Sequence, residues 1–204
     1  MRKYARQAED WSERQYADAT AYLSHRADLV MSLGPRLEPG DEVLDLACGD
    51  GALAEPLLAR RLRYRGVDST EEMVAEARRR LGPEASVVLG DLNDYEPAEP
   101  VAATTLFRAV YYARDRRAFF RHVAGFTEKK VVFDLNPRQY ELAGVVADLG
   151  AAGLGRVALR PFLIPQTVSL PRPLTTLARA LERSGPPARL ALRFRFTYVV
   201  AASR

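Results

Sequence analysis

Three aspartates stand where predicted strands end, and two glycines follow the first of them. Asp45 lies in the apolar run 43–47, which continues into a loop that carries Gly49 and Gly51. Glycine lets the backbone approach a ligand closely and adopt a positive φ. A helix that starts after such a loop offers free N–H groups to a carboxylate or a phosphate. The segment therefore predicts a small-molecule binding loop.

Asp68 and Asp91 close the next two predicted strands along the chain. The carboxyl ends of parallel strands share one rim of a sheet, and ligands bind there. Asp68 could accept both hydroxyls of a ribose, and Asp91 could accept an adenine amino proton beside the backbone N–H of Leu92. Asp45 suits an ammonium group. A ligand with an amine, a ribose and an adenine but no phosphate fits this set, and S-adenosylmethionine is such a ligand.

The same loop also matches a dinucleotide fingerprint, which leaves a second interpretation open. Gly49, Gly51 and Ala54 satisfy G-x-G-x-x-A, and Asp68 follows at the distance that an NAD site needs. A carboxylate at Asp45 would face the pyrophosphate of a dinucleotide, which is unfavourable. A nicotinamide-dependent oxidoreductase is therefore the alternative from another class, ranked second, and a non-catalytic cofactor-binding protein ranks third.

Over residues 38–136 the sequence resembles the class I S-adenosylmethionine-dependent methyltransferases. VLDLACGDG (43–51) looks like their first motif, and VDSTEEM (67–73) looks like their acidic loop after the second strand. GDLNDY (90–95) looks like their adenine-binding motif, and LFRAVYY (106–112) takes the place of the fourth motif. The resemblance implies a cofactor site for S-adenosylmethionine built from Asp45, Ala47, Gly49, Gly51, Asp68, Ser69, Met73, Asp91, Leu92, Phe107 and Arg108.

The resemblance also implies a role for several of these residues. Gly49 and Gly51 would line the methionine moiety, and Ser69 and Met73 would flank the adenosine. Ala47 stands where many relatives have glycine, a departure that we expect to be harmless.

Strands and helices alternate along the chain, which is typical of a parallel sheet with helices on both faces. We predict an α/β, Rossmann-like, seven-stranded, mostly parallel sheet with an antiparallel last strand and an N-terminal cap helix. The pattern locates strands at 43–47, 66–68, 86–91, 103–107, 130–135 and 189–202, and helices at 10–33, 52–62, 70–81, 114–126 and 174–184.

We expect one methyltransferase domain over residues 1–204. Its parts are the cap helix (1–35), a cofactor-binding core (38–136), and C-terminal strands with a possible substrate lid (150–204). The proline-rich stretch 161–173 is the second candidate for that lid, beside the cap helix.

Composition excludes several other classes of protein. The chain has 204 residues, 48% of them hydrophobic, and one cysteine, Cys48, so neither an intramolecular disulfide nor a cysteine-cluster metal site is expected. No apolar run approaches the length of a membrane span, and the N-terminus has no apolar signal core. The net charge of +4 comes from arginines spread along the chain. We therefore predict a cytoplasmic protein with no metal, no membrane partner and no nucleic-acid partner.

Aromatic side chains are the candidates for a substrate pocket: Trp11, Tyr16, Tyr111 and Tyr112, with Asn136 at the same rim of the sheet. The tyrosines after the fourth strand also suit simple packing, and Asn136 also suits capping of the next helix. His25 falls opposite the Tyr16 face of the first helix and is expected to be exposed. No residue stands out as a catalytic base.

The fourth strand is not followed by the N/D-P-P-Y/F motif of enzymes that methylate the amino groups of nucleic-acid bases. The predicted function is therefore S-adenosylmethionine-dependent methylation of a small molecule at oxygen or nitrogen. An RNA or protein methyltransferase is the alternative within the same class.

Overall fold

The chain forms a seven-stranded sheet with helices on both faces. The structure is a computed structural model, and it describes residues 15–84, 86–191 and 197–204. The strands are β1 (Glu42–Leu46), β2 (Arg63–Asp68), β3 (Ser86–Leu89), β4 (Val101–Leu106), β5 (Thr127–Leu135), β6 (Arg156–Phe162) and β7 (Thr197–Ser203). Their order is β3-β2-β1-β4-β5-β7-β6.

The directions of the strands confirm the predicted architecture. Strands β1 to β5 pair in parallel. Strand β7 lies antiparallel between β5 and β6. The order reverses at β1, which lies between β2 and β4, and this reversal opens a crevice at the carboxyl ends of the strands.

Seven α-helices belong to the described residues. They are α1 (Ala19–Ser32), α2 (Ala54–Leu58), α3 (Glu71–Leu81), α4 (Arg116–Phe126), α5 (Leu142–Ala151), α6 (Arg172–Glu182) and α7 (Pro186–Ala191). Pro56 falls within the first turn of α2, where its missing N–H costs no helical hydrogen bond. Short 3₁₀ turns cover Gly82–Glu84 and Val110–Tyr112.

Side chains alternate across the sheet and build one apolar layer on each face. Val43 of β1 packs with Ala27 of α1 and Leu57 of α2 on one face. Leu44, its neighbour in the chain, packs with Phe120 of α4 on the other face. This period of two is what a strand buried on both faces requires. The two layers hold the strand ends in place, so the loops that follow them are well positioned.

The sequence predicts a helix over 10–33, of which 10–14 lie outside the described residues. Residues 16–18 are not helical, and α1 begins at Ala19 because Asp18 caps it, accepting the backbone N–H of Ala21 at 2.9 Å. It ends before Gly34, which has φ +68°, as the sequence predicts. The buried ammonium of Lys130 donates to the carbonyl of Leu33 at 2.8 Å. Burial lowers the pKa of that lysine to about 8.

The C-terminal third differs most from the prediction. Strand β6 and helix α5 are missing from the predicted elements. Pro161 is tolerated because β6 is an edge strand, where one N–H is dispensable. The predicted strand 189–202 is also partly wrong: its first residues belong to α7, and 192–196 lie outside the described residues.

Strand β6, which is missing from the prediction, and helix α6, which is predicted as 174–184, explain the error at His25. This side chain is buried, with 1% of its surface exposed, not exposed as predicted. Its Nε2 pairs with the carboxylate of Glu182 on α6 at 2.5 Å, and its ring packs against Phe162 of β6. The α1 face that the helical pattern leaves open is therefore covered by β6 and α6.

Candidate cofactor and substrate cavity

A cavity of about 720 Å³ opens at the carboxyl ends of the parallel strands. This volume suits a ligand the size of a nucleoside cofactor with room beside it. Two groups of lining residues are distinguished by charge. The acidic half comprises Asp45, Ala47, Gly49, Asp68, Ser69, Met73, Asp91 and Leu92, and the arginine half comprises Gln15, Tyr16, Leu23, Arg26, Phe107 and Arg108.

Asp45 is held on the floor of the acidic half by neighbours from the two adjacent strands. Its carboxylate accepts the hydroxyl of Thr105 on β4 at 2.7 Å and the hydroxyl of Tyr64 on β2 at 3.0 Å. Burial raises the pKa of Asp45 to about 6, although both hydroxyls favour the ionised form. A cationic group placed beside this carboxylate would stabilise its charge.

Asp68 fixes the glycine loop. Its Oδ2 accepts the backbone N–H of Gly49, and its Oδ1 accepts the backbone N–H of Thr70, both at 2.9 Å. Each carboxylate oxygen keeps a further lone pair for a ligand hydroxyl. The end of β2 is thereby tied directly to the loop after β1.

The two positions in the loop require glycine for different structural reasons. Gly49 has φ +58°, and a Cβ built there would meet nothing within 4 Å, so its face is open to a ligand. Gly51 does not line the cavity; a Cβ built on it would lie 3.0 Å from Leu81 and 3.1 Å from Ala77. Gly51 is therefore needed for the close packing of the loop against α3.

Ala47 departs from the expectation that an alanine here is harmless. Its φ is +58°, in the left-handed region, where the Cβ of a non-glycine residue is crowded. The turn out of β1 therefore carries backbone strain that a glycine would not have.

Asp91 lies in the loop after β3 and is the most exposed of the three carboxylates. Its Oδ1 accepts the backbone and side-chain N–H groups of Asn93, each at 2.8 Å. Its Oδ2 accepts from the guanidinium of Arg114 at 2.8 Å. The backbone bond from Asn93 is the main cause that lowers the pKa of Asp91. The backbone of Leu92, beside it, lines the same part of the cavity.

The arginine half is organised by an ion pair that joins α1 to β5. Arg26, whose side chain is 4% exposed, donates to the carboxylate of Asp134 at 2.9 Å. Its guanidinium lies over the rings of Phe107 at 4.3 Å and Tyr22 at 4.9 Å from their centroids. The first helix therefore contributes a rigid cation to the cavity wall.

Arg108 completes this half from the end of β4. Its backbone N–H donates to the second oxygen of Asp134 at 2.6 Å, and its φ is +56°. Its guanidinium contacts the side-chain oxygen of Gln15 at 3.4 Å.

Only some of the predicted substrate residues line the cavity. Tyr16 lines the arginine half, and Tyr111 and Tyr112, both nearly half exposed, line the cavity near Arg114. Asn136 does not line the cavity; its side-chain oxygen accepts the backbone N–H of Arg138 at 2.9 Å within a turn. It does not cap the next helix as the alternative interpretation expects, because the N-cap of α5 is Glu141. Trp11 lies outside the described residues.

Sequence reasoning missed Arg26 and Asp134. Arg26 and Asp134 have side chains that are 4% and 10% exposed, and a charge buried in an apolar helix or strand gives no local signal of its partner, which here lies 108 residues away. The one available hint was an arginine within the apolar stripe of the first helix, where a solvated charge is out of place.

The stretch 161–173, predicted as a lid, does not line the cavity within the described residues. It is instead connected to the segment before α1. The backbone N–H of Ala17 donates to the carbonyl of Gln166 at 2.9 Å, and the side-chain amide of Gln166 donates to the carbonyl of Gln15 at 3.2 Å. The two predicted lid segments are thus one hydrogen-bonded unit at the cavity rim.

The strand order, the antiparallel seventh strand and the acidic rim define a Rossmann-like domain that binds its ligand at the switch point of the sheet. Residues 43–130 match the model of a family described as a methyltransferase domain. Over these residues the chain is similar to a methyltransferase domain, and the strand order of the sheet agrees with that similarity.

Two curated relatives are similar over about half of this chain. A dTDP-3-amino-3,4,6-trideoxy-alpha-D-glucopyranose N,N-dimethyltransferase of Streptomyces venezuelae is 32% identical over 112 residues, which are 54% of this chain and 46% of that protein. A trans-aconitate 2-methyltransferase of Escherichia coli O157:H7 is 31% identical over 117 residues, which are 56% of this chain and 45% of that protein. The chain spans about half the length of these curated relatives.

Solved structures share the fold over nearly the whole chain. A chain of the complex between the Haloferax volcanii Trm112 methyltransferase activator and a methyltransferase aligns with a TM-score of 0.70 at 19% identity, covering 98% of this chain and 97% of that one. Other solved chains with this fold contain bound S-adenosylmethionine or S-adenosylhomocysteine. In the described part of the chain, no helix combines the length and the apolar character needed to cross a membrane.

Proposed function

We propose that this protein transfers a methyl group from S-adenosylmethionine to a small-molecule acceptor, at oxygen or nitrogen. The observation that carries the proposal is the acidic half of the cavity, where three carboxylates and an open glycine loop lie at consecutive strand ends. The two relatives act on small molecules according to their names, a nucleotide-linked amino sugar and trans-aconitate.

The acidic half fits the cofactor chemically. Asp45 is buried and gains from a cation nearby, which matches the ammonium of the methionine moiety. Asp68 keeps lone pairs for two ribose hydroxyls, and Asp91 beside Leu92 would bind the adenine edge. Arg114, which also lines the cavity, is already paired with Asp91 and Asp94, and a pyrophosphate in this half would face the carboxylates of Asp45 and Asp68.

The bound cofactor supplies an activated methyl group on a sulfonium, ready for in-line displacement. The residues of the chain then have to hold the acceptor in line and keep water out. Phe107 and Leu23 provide apolar wall, and Tyr16 and Gln15 lie at the rim. The described lining contains no histidine, and the proposal assigns no catalytic base.

Ligand binding tests the proposal directly. S-adenosylhomocysteine should raise the melting temperature, because a ligand that prefers the native state stabilises it by mass action. NADH is the matched control, since it tests the dinucleotide interpretation of the same loop. A shift with NADH and none with S-adenosylhomocysteine would reverse the assignment.

We also propose that the rim segment around Tyr16 closes the cavity during turnover. It is tied to Gln166 by two hydrogen bonds and reaches the lining through Gln15 and Tyr16. Tyr16→Ala should reduce turnover on any accepted substrate while cofactor affinity changes by less than about threefold, because water enters and the acceptor is misplaced. Turnover and affinity that fall in proportion would mean that the segment only packs.

A further inference from the structure

The arginine half of the cavity contains more positive than negative charge. Arg26 and Arg108 both line it, and Asp134 is the carboxylate beside them. Both oxygens of Asp134 are engaged, one by the guanidinium of Arg26 at 2.9 Å and the other by the backbone N–H of Arg108 at 2.6 Å. Among the described residues, one positive charge is therefore left without a counter-charge.

That charge lies on the side chain of Arg108. Arg108 is half-buried, and within the part of the chain that the structure describes its guanidinium makes one hydrogen bond, to the neutral amide oxygen of Gln15 at 3.4 Å. Within the described residues, no carboxylate oxygen lies within the ion-pair distance of 4.0 Å from it. A guanidinium has five N–H donors in a planar arrangement, so most of its donors remain available.

Arg26 acts as a positioning residue for this arrangement. It is stacked on Phe107 and bound to Asp134, so the carboxylate is held away from pairing with the neighbouring guanidinium. The left-handed φ of Arg108 is maintained by the bond of its N–H to the same carboxylate. Strained backbone of this kind persists where the surroundings fix it, and it concentrates at functional sites.

We propose that the methyl acceptor carries an oxyanion, a carboxylate or a phosphate, and that the guanidinium of Arg108 binds it. This inference rests on the proposed function and specifies the class of its substrate. Arginine matches both anions with paired N–H donors. The cavity wall strengthens the attraction relative to bulk water, because the local dielectric constant is lower there.

Calorimetric titration of the full chain, saturated with S-adenosylhomocysteine, tests the inference. The probes are trans-aconitate for a carboxylate and thymidine diphosphate for a phosphate, with the trimethyl ester of trans-aconitate and thymidine as their neutral counterparts. At least one anion should bind while its neutral counterpart does not, and the stronger probe identifies the type of oxyanion. Arg108→Ala should weaken that binding by about tenfold or more.

Two measurements on variants distinguish binding of the anion at Arg108 from attraction by the overall positive charge of the protein. Arg36→Ala removes the same charge from an exposed position outside the cavity, and it should leave the affinity for the anion unchanged. Arg108→Ala should change the affinity for S-adenosylhomocysteine by less than about threefold, since the role that the resemblance implies for Arg108 toward the cofactor is that of its backbone, which the variant keeps.

Three results would overturn the inference. Absence of binding by both anions to the saturated protein would show that the charge does not recognise an acceptor. Equal binding of the neutral counterparts would show that recognition is apolar. An equal loss of S-adenosylhomocysteine affinity in Arg108→Ala would assign the guanidinium to the carboxylate of the cofactor. Failure of the wild type to bind S-adenosylhomocysteine is a separate result, and it counts against the proposed function.

Discussion

The two halves of the cavity differ in where the partners of their charged groups lie in the sequence. In the acidic half, Asp68 is fixed by the backbone of Gly49 and Thr70, and Asp91 by Asn93, two residues further on. In the arginine half, the pair of Arg26 and Asp134 joins residues 108 positions apart. Apart from Asp45, which Tyr64 and Thr105 hold from the adjacent strands, the first half is built from the loops that follow β1 to β3. The second half exists only once α1 has packed against β5.

The pair in the arginine half gives the largest expected effect on stability. Arg26→Met should lower the free energy of unfolding by about 3–5 kcal/mol, because Asp134 is left as a nearly buried charge without its partner. Denaturant unfolding measures it. The exposed pair of Arg63 with Glu42 is the matched control, and Arg63→Met should cost less than about 1 kcal/mol.

A double variant sharpens that prediction. Arg26→Met combined with Asp134→Asn removes both charges and should recover part of the lost stability, since no uncompensated charge remains. Single and double variants with the same loss would mean that Arg26 stabilises through its stacking on Phe107 alone.

In the acidic half, Asp45 should make the free energy of unfolding depend on pH. The pKa of Asp45 is about 6 in the folded protein, against 3.8 for the free side chain, so between these values the folded state holds the extra proton. The contribution of this proton to the free energy of unfolding is therefore fully present below about pH 4. It is lost as the pH rises through 6, and the total decrease is about 3 kcal/mol. Asp45→Asn should remove this dependence.

The measurement is the difference in unfolding free energy between wild type and Asp45→Asn at several values from pH 4 to pH 7. Arg26, Asp68 and the hydroxyls of Tyr64 and Thr105 surround the carboxyl and are unchanged in the variant. A difference that is constant with pH would contradict the prediction.

Asp68 should have the next largest effect, on ligand binding. Asp68→Ala removes the acceptor for the ribose and frees the N–H of Gly49, so the affinity for S-adenosylhomocysteine should fall by about tenfold or more. Calorimetry on the folded variant measures this. Asp94→Ala, which removes an exposed carboxylate outside the cavity, should keep the wild-type affinity.

The smallest predicted effect concerns the strained turn at Ala47. Ala47→Gly should raise the free energy of unfolding by up to about 1 kcal/mol. Glycine removes the backbone strain at φ +58°, and this gain should exceed the cost of the extra conformational entropy that glycine gives the unfolded chain. Ala147→Gly, in the middle of α5, is the control and should lower stability by about 1 kcal/mol. A loss of stability at Ala47 would show that its methyl group contributes packing that outweighs the strain.

The difference between contacts within a local segment and contacts between distant elements explains what the sequence could and could not predict. The seven-stranded sheet and the three carboxylates follow from alternating apolar runs and from loops whose signals are local, as at Asp45 and Gly49. The burial of His25 and the pairing of Arg26 depend on β6, α6 and β5, so no local pattern reveals them. Gly51 looked like a ligand contact, but the tight packing of α3 is what requires it.

Pro161 has a consequence for how molecules of this protein meet one another. An edge strand normally offers a row of free N–H and C=O groups with which a strand of another molecule can pair. Strand β6 forms one edge of the sheet, and the nitrogen of Pro161 carries no hydrogen to donate. Growth of the sheet from one molecule into the next is therefore disfavoured along this edge, which protects a concentrated solution against edge-to-edge aggregation.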